Sequence, residues 1–381
     1  SDSANFVAIE NVLYQRTDKP VLDADGNKVL DADGKETTEN VLSTLLFCPQ
    51  RKAGSTTVTV PDTVTNVAAN AFYYNQVVTE IRFGALKKGE TLTVGSQAFG
   101  SCAVLAKIAL PEGLSEIPAS MFYGCQTVEE IVIPSTVASI GNKAFFGCSN
   151  LKSLIFTETP EGQTPVDLVI LDTPNGSSDN GYTNSPFYGC TSLKNIVLPE
   201  RLTVIGRLAF GGLVSGRYGE KYIPPFESIS LPSTLKEIHE MAFLNARNLK
   251  TVTFASGTTL SDACDGKAFA IGKQAFYYCT SLTEIALPTS SEATYSIGDT
   301  AFAYTGLKEI SIPKAVGWLG SGVFNRSSDL AKVVFEAGAN PKCGTSLFAY
   351  TAVSGVTLPE GVEAISNYMF QGCVNLTSVT V

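Results

Sequence analysis

The apolar positions of this chain recur in one repeated pattern. In its clearest copy, Ile131 and Ile133 lie two residues apart and Pro134 follows at once. This alternation places both side chains on one face of a short β-strand, and proline ends the strand because it has no amide hydrogen to donate. Val137 and Ile140 then predict a second short extended piece. Each copy therefore begins as a strand, a corner and a strand.

The second half of each copy contains a phenylalanine. Gly141 permits a tight turn into Phe145. Cys148 and Leu151 follow at a spacing of three, which is typical of one helical or 3₁₀ turn. Twelve phenylalanines occupy the position of Phe145: Phe72, Phe99, Phe122, Phe145, Phe187, Phe210, Phe243, Phe276, Phe302, Phe324, Phe348 and Phe370.

The period of this repeat predicts the architecture. The commonest step between the phenylalanines is 22 to 24 residues, and self-similarity at that period indicates stacked copies of one supersecondary unit. Equivalent strands of successive coils should lie parallel at about 4.8 Å, so that about twelve coils form a rod roughly 55 Å long. No coil should fold alone, because each buries its phenylalanine only against its neighbours.

The repeated phrase that runs from Ile133 to Leu151 resembles the treponemal-type leucine-rich repeat of the BspA-like bacterial surface proteins. The resemblance extends from about Val60 to Val381. It implies a leucine-rich repeat solenoid of right-handed stacked coils with a parallel β-sheet and short 3₁₀ or helical turns. It also implies a secreted or surface-anchored bacterial protein, in a family that includes adhesins for host matrix proteins and has no shared catalytic residues.

The chain divides into two regions by this pattern. Residues 1–60 lack the repeat and resemble the N-terminal capping β-hairpin of the same family, which would cover the unpaired edge of the first coil. Residues 61–381 form the solenoid, with insertions near 157–185, 212–225 and 255–267. Within the first insertion, Val166 to Leu171 could form an added strand. Insertions in solenoids map to loops on one face, often the binding face.

Composition narrows the classes of partner. The chain has 381 residues, of which 44% are hydrophobic and 17% charged, and its formal net charge is -9 without basic clusters. Nucleic-acid binding is therefore not expected, and no stretch approaches the roughly 18 apolar residues of a transmembrane helix. Ser1 is not an initiator methionine and no apolar leader follows it, so a processed or trimmed form is expected.

The cysteines follow the repeat. Six of the nine lie three residues after a repeat phenylalanine, namely Cys102, Cys125, Cys148, Cys190, Cys279 and Cys373. A column of a solenoid faces its interior, where cysteine packs as a small buried hydrophobe, so we predict free structural thiols. The pattern leaves the oxidation state of Cys48, Cys264 and Cys343 open, and cysteine usage does not fix the redox compartment.

Catalytic and metal-binding constellations are not evident in the sequence. The two Asp-Ala-Asp-Gly stretches that begin at Asp23 and Asp31 fail the EF-hand spacing and favour hairpin turns, although a different calcium site stays open. His239 is the single histidine and follows a coil corner, so neither a multi-histidine metal site nor a catalytic triad is expected. We predict no enzyme activity and no cofactor.

Three sets of residues are candidates for a binding surface. The first is a stripe of tyrosines beside the repeat phenylalanines, which includes Tyr188, Tyr277 and Tyr278 and could instead shield the edge of the core. The second is Trp318, which falls in an outward column and could anchor an interface. The third is an apolar strip of four successive coils, Ala109, Val132, Ile155 and Val197, unless the insertion after Thr157 folds over it.

Three functions remain compatible with the sequence. The leading hypothesis is a non-enzymatic exported or cell-surface protein that binds a protein or matrix ligand, in the manner of an adhesin. The alternative is a carbohydrate-binding or carbohydrate-active solenoid, which would need two carboxylates that converge about 5–10 Å apart in a groove. A structural or self-associating module is the third. The sequence does not indicate the oligomeric state or the ligand.

Overall fold

A computed structural model describes residues 5–23, 27–51, 53–173, 184–212, 222–261, 269–289, 294–360 and 365–380. The strands assigned in these ranges are β1 Phe6–Ile9, β2 Val12–Pro20, β3 Thr38–Phe47, β4 Thr57–Val60, β5 Asn66–Val67, β6 Glu80–Phe83, β7 Thr93–Val94, β8 Lys107–Ala109, β9 Glu116–Ile117, β10 Glu130–Ile133, β11 Ser139–Ile140, β12 Ser153–Phe156, β13 Leu168–Ile170, β14 Leu202–Ile205, β15 Ser228–Leu231, β16 Glu237–Ile238, β17 Thr251–Phe254, β18 Glu284–Ile285, β19 Tyr295–Ile297, β20 Glu309–Ile312, β21 Val316–Leu319, β22 Lys332–Phe335, β23 Lys342–Cys343, β24 Gly355–Thr357 and β25 Ser378–Thr380.

Most of the described coils contribute one strand to each of two parallel stacks, and Ile271 contributes an isolated bridge to the second stack. The first stack runs from β4 through β6, β8, β10 and β12 to β25, with an isolated parallel bridge at Val197 in place of one strand. The second stack runs from β5 through β7, β9, β11 and β13 to β23. The first stack has thirteen rows in the described residues, which confirms a leucine-rich repeat solenoid of parallel strands.

The corner between the two strands of a coil forms as the prolines predict. Val137 N donates to Pro134 O at 3.1 Å, and Leu202 N donates to Pro199 O at 3.0 Å. A turn of this kind closes three residues after the proline and directs the chain from the first stack to the second. Glu200 Oε2 then accepts from Ser233 Oγ at 2.8 Å and links the corners of neighbouring coils.

The phenylalanines form one continuous ladder along the solenoid axis. All twelve rings are in contact in sequence order, with centroid separations between 4.9 and 5.9 Å. Most of the pairs are stacked, and these separations are those of stabilising aromatic pairs. The rung at Phe370 is only half-buried, whereas Phe122 and Phe145 are fully buried.

The turn after each phenylalanine is a single turn and not a helix. Cys148 N donates to Phe145 O and Leu151 N donates to Cys148 O, both at 3.1 Å. These bonds connect residues three apart, as in a 3₁₀ turn. No α-helix occurs in the described ranges, so the expected helical turns are present only as isolated turns of this type.

The column cysteines point into the solenoid and their thiols donate hydrogen bonds. Cys125 Sγ donates to Phe99 O at 3.0 Å, and Cys148 Sγ donates to Phe122 O at 3.1 Å. The other four make the same bond to the phenylalanine carbonyl of the preceding coil. All eight described cysteines are free, as expected for structural thiols, and Cys264 lies outside the described residues.

An N-terminal meander covers the first coil. Strands β1, β2 and β3 pair antiparallel, and β3 then pairs parallel with β5 through Thr44 with Asn66 and Leu45 with Val67. The solenoid pairing begins with β4, three residues before the boundary expected at residue 60. Tyr14 and Leu45 of the meander are buried against the first coil.

The second Asp-Gly stretch forms a turn. Gly34 has a φ of 76°, Asp31 N donates to Lys35 O at 2.8 Å, and Asp31 Oδ1 accepts from Lys35 N at 2.9 Å. The first stretch closes in the same way through Asp23 and Asn27, and its residues 24–26 lie outside the described ranges. These contacts fit the hairpin-turn interpretation.

The first insertion differs from its expected form. Val166 to Leu171 was a candidate for an added strand, and a strand does form there as β13. It pairs with β11 on one side and β14 on the other, so it is the regular second strand of its coil. The inserted residues therefore lie on both sides of β13 in the sequence. Most of the other two insertions, residues 213–221 and 262–268, lies outside the described residues.

Candidate binding surfaces

The apolar strip, defined as Ala109, Val132, Ile155 and Val197, faces solvent. Ile155 is 44% exposed and Val197 is 79% exposed. Val132 and Ile155 are direct neighbours in the parallel register of β10 and β12. Ala109 is exposed and Val132 is half-buried. The four side chains thus lie outward along the first stack, as the alternation of the strands predicted.

An open groove lies at the N-terminal end of the strip. It encloses about 630 Å³ between β8 and β10, and Ala109 and Val132 line it. Charged side chains also line this groove, namely Glu80, Lys107, Glu129 and Glu130. The strip therefore combines an apolar floor with charged groups, as do many protein contact surfaces.

The described part of the insertion after Thr157 is held at the corner of the coils. Thr157 Oγ1 donates to Glu112 Oε1 at 2.9 Å. Arg201 Nη2 donates to Pro134 O at 2.9 Å, and its Nη1 donates to Val166 O at 3.3 Å. Burial lowers the pKa of Arg201, although the carboxylates of Glu112 and Glu158 oppose that shift. These contacts hold the segment beside the prolines and leave Ile155 and Val197 exposed.

Trp318 lies on the second stack in the outward column that the sequence predicted. It is 38% exposed, and its neighbours in parallel register are Ser296 on β19 and Lys342 on β23. The indole thus stands on a different face from the apolar strip. A half-exposed tryptophan between small or flexible neighbours is accessible to a partner.

Tyr188 is not an exposed contact. Only 6% of it is accessible, because its ring lies between Phe146 at 5.0 Å and Tyr222 at 4.8 Å. Tyr222 comes from the second insertion, and its hydroxyl donates to Phe187 O at 3.0 Å. Tyr188 is therefore not available to a partner, because Tyr222 of the second insertion covers its ring. The shielding interpretation holds for this part of the stripe.

The C-terminal tyrosines form a second ladder with two arginines, which we call the Tyr–Arg ladder: Arg247, Tyr278, Tyr304, Arg326 and Tyr350. The rings of Tyr278 and Tyr304 stack at 4.4 Å. The Arg326 guanidinium lies 5.9 Å from the Tyr304 ring and 4.6 Å from the Tyr350 ring. Arg247 lies 5.3 Å from the Tyr278 ring. Tyr277 packs edge-on against both Tyr278 and Tyr304.

The backbone is left-handed at four of the five residues of this ladder. Tyr278, Tyr304, Arg326 and Tyr350 have φ values between 58° and 62°. The equivalent position is glycine in several other coils, for example Gly124, Gly147 and Gly189 with φ from 70° to 80°, and a non-glycine residue with φ from 56° to 58° in three more, at Tyr74, Ser101 and Asn245. A side chain in this region carries a strain of about 1–2 kcal/mol, which glycine avoids.

Sequence reasoning did not find the arginines of the ladder. Tyr277 and Tyr278 were candidates, but Arg247 and Arg326 were not associated with them. A signal was present, because glycine recurs two residues after the phenylalanine in several coils and marks a position that disfavours side chains. Large residues at that position in four successive coils could have been recognised as unusual.

His239 is buried and contacts two carboxylates, of which Glu237 is buried and Asp172 is exposed. Its Nδ1 is 2.6 Å from Asp172 Oδ1, and its Nε2 is 2.9 Å from Glu237 Oε2. His239 and Glu237 are only 5% and 2% exposed. Arg207 N also donates to Asp172 Oδ1 at 2.6 Å. These contacts connect three successive coils, which favours a structural role for His239.

Within the described ranges, no group of three or more His, Cys, Asp or Glu side chains is arranged to hold a metal ion. None of the described residues belongs to a helix long and apolar enough to span a bilayer.

Comparison with known proteins identifies related repeats. A family model described as BspA type leucine rich repeat region (6 copies) matches residues 50–162, 178–218, 220–270 and 264–377. No protein with a curated description matches the chain in sequence.

Several solved structures of bacterial leucine-rich repeat proteins align with this chain. One from Bacteroides ovatus has 21% identity and a TM-score of 0.51, over 98% of this chain and 76% of that protein. A leucine-rich cell surface protein from Faecalibacterium prausnitzii has 19% identity and a TM-score of 0.41, over 100% of this chain and 89% of that one. A leucine-rich repeat protein of T. pallidum has 18% identity and a TM-score of 0.36, over 83% and 87%. At 21% identity, the first of these supports the fold alone.

Proposed function

This chain belongs to the BspA-type leucine-rich repeat family, and from that premise we propose that it is an exported or cell-surface protein that binds a protein or matrix ligand. We further propose that it acts without catalysis, since solenoids of this family are typically non-catalytic. The function is then to present one long, rigid surface to a partner.

The apolar strip is the observation that carries this proposal. The same outward column holds Ser230 and Thr253 two and three coils beyond Ile155, and their hydroxyls contact each other at 3.2 Å. The fold therefore accepts polar residues in this column and does not require Ile155 or Val197. Exposed apolar side chains that the fold does not need are typical of contact surfaces.

A binding experiment with matched variants tests the proposal. The protein would be screened by biolayer interferometry against immobilised collagen, fibronectin, laminin and fibrinogen. For a ligand that binds, we expect Ile155→Asp and Val197→Asp to weaken affinity at least tenfold, because a carboxylate would have to be desolvated in the contact. Stability should change by less than about 0.5 kcal/mol, because both positions are on the surface.

Val334→Asp is the matched control. Val334 occupies the same outward column far from the strip, and it is 41% exposed, close to the 44% of Ile155. This variant should bind as the wild type does. The proposal would be wrong if no matrix protein bound, or if Val334→Asp weakened binding as much as Ile155→Asp.

A further inference from the structure

We propose that the Tyr–Arg ladder is a second docking surface, which binds an extended acidic segment of a partner protein. The inference rests on the proposed protein-binding function, but it concerns a surface built from different residues. The apolar strip lies on the first stack of strands, whereas the ladder lies on the turns that follow the phenylalanines. The two surfaces can therefore be tested separately.

The fold does not require the side chains of the ladder. Tyr278, Tyr304, Arg326 and Tyr350 occupy a left-handed backbone position in four successive coils. Elsewhere this position holds glycine in several coils, and Tyr74 is an isolated large residue there. A run of large residues at a strained position is a marker of function, because glycine at the same position would avoid the strain in every coil. The ladder continues without interruption from Arg247 to Tyr350.

The geometry of the ladder favours charge recognition over stacking. The faces of the Tyr278 and Tyr304 rings cover each other at 4.4 Å, so their edges and hydroxyls are the groups left for a ligand. Arg326 is exposed while its guanidinium packs against the rings of Tyr304 and Tyr350. Among the described residues, Arg326 forms no ion pair with a carboxylate. A guanidinium held in one orientation is suited to a bidentate bond with a carboxylate.

The charge around the ladder differs from that of the whole chain. The five turns that carry it, residues 244–248, 277–281, 303–306, 325–329 and 349–352, contain two arginines and a single acid, Asp329. The chain as a whole has a net charge of -9. The net negative charge of the chain would repel an acidic ligand, whereas the two arginines would attract it at the ladder. The ladder would therefore be a local site, and the protein would have no general affinity for anions.

The dimensions and composition of the ladder fit a peptide segment. Five coils at about 4.8 Å per row extend about 20 Å, which is the length of about six residues of extended chain. Tyrosine and arginine are the residues that most often dominate protein contacts. Because the rings and guanidinium groups are already packed, little side-chain entropy is lost when a partner binds.

The test uses the full chain and a fluorescein-labelled decaglutamate peptide in fluorescence anisotropy at low salt. We expect binding that weakens as salt is added. Tyr304→Gly and Arg326→Gly should each reduce affinity at least tenfold. Both variants should remain folded, because glycine suits the left-handed backbone better than the native residue does.

Tyr74→Gly is the matched control for these variants. Tyr74 has the same backbone conformation, with a φ of 58°, and it is 52% exposed far from the ladder. It should bind the peptide as the wild type does, and so should Ile155→Asp, which separates this surface from the apolar strip. Circular dichroism melts of all variants would verify that they are folded.

Three results would overturn the inference. The first is no binding of decaglutamate by the wild type. The second is an equal loss of affinity in Tyr74→Gly. The third is tighter binding of a polygalacturonate oligosaccharide of equal charge, which would assign the ladder to an anionic polysaccharide.

Discussion

The identity of several residues in this protein is constrained by contacts with the neighbouring coil. Gly141 was expected to permit a tight turn, but it is not among the residues with positive φ. A Cβ on Gly141 would instead lie 2.8 Å from the backbone nitrogen of Ala119 in the preceding coil. The glycine is therefore required by the close approach of two coils. Similarly, Ser327 occupies the cysteine column because its hydroxyl also donates to the preceding phenylalanine carbonyl, Phe302 O, at 2.9 Å.

The reactivity of the column cysteines follows from the same environment. Burial raises the pKa of Cys102 and of Cys190 to about 12, and it raises the pKa of Cys125 and Cys148 well above the usual value. Thiolate, the reactive form, is therefore scarce at pH 8. We expect iodoacetamide at pH 8 to leave these four thiols unmodified in the native protein, as measured by peptide mass spectrometry.

A more exposed cysteine and the denatured chain are the two controls for the alkylation experiment. Cys373 is partly exposed and should be alkylated before the four buried thiols. In 6 M guanidinium chloride, all of them should react. Rapid native labelling of Cys125 or Cys148 would show that the column is accessible and that the described packing is incorrect.

A coil within the stack depends on its neighbours for stability, because its phenylalanine ring packs between the rings of the two adjacent coils. Phe122 lies 5.6 Å from both Phe99 and Phe145, and each of these rings is fully buried. Phe370 has a described ladder neighbour on one side only, Phe348 at 5.9 Å. A ladder of this kind distributes stability over interfaces between neighbours.

Substitution of two ladder phenylalanines by alanine tests how stability is distributed along the ladder. Phe122→Ala should lower the free energy of unfolding by about 3–5 kcal/mol, because it removes a fully buried ring. Phe370→Ala should have a smaller effect, because that ring is half-buried. Urea denaturation followed by circular dichroism would measure both midpoints. Equal shifts in the two variants would contradict a ladder with a weaker terminal rung.

The meander covers the N-terminal edge of the second stack. Strand β3 pairs with β5, so the meander of β1, β2 and β3 satisfies backbone groups that β5 would otherwise expose, whereas β4 of the first stack pairs with β6 alone among the described strands. An uncovered edge of parallel strands pairs readily with other chains. We therefore expect coverage of this edge to limit pairing of β5 with another molecule.

Removal of the meander tests its role. A chain that begins at Cys48 would lack the three strands, and Val67 of β5 would lose its partner Leu45. We expect this variant to form dimers or larger species and to melt at a lower temperature, as measured by light scattering and calorimetry. The full chain under identical conditions is the control. A monomeric truncated chain of unchanged stability would show that the meander is not a cap.

Local sequence patterns specify the structure of one coil. Alternation at Ile131 and Ile133, the proline after each first strand and the spacing from Phe145 to Leu151 are local features, and local sterics and hydrogen bonding are enough to specify their structure. The phenylalanine period then predicted the ladder and the inward column of cysteines. The same alternation predicted that Ile155, Val197 and Trp318 point outward.

The accessibility of the outward residues depends on contacts between parts of the chain that are distant in sequence. Tyr188 directly follows its repeat phenylalanine, as the exposed Tyr73 does, but Tyr222 reaches it from an insertion more than thirty residues later and buries it. Arg326 joins Tyr304 and Tyr350 only because stacking at about 4.8 Å per coil brings residues 22 to 24 positions apart into contact. Burial and side-chain stacking depend on distances between coils, which no local pattern contains.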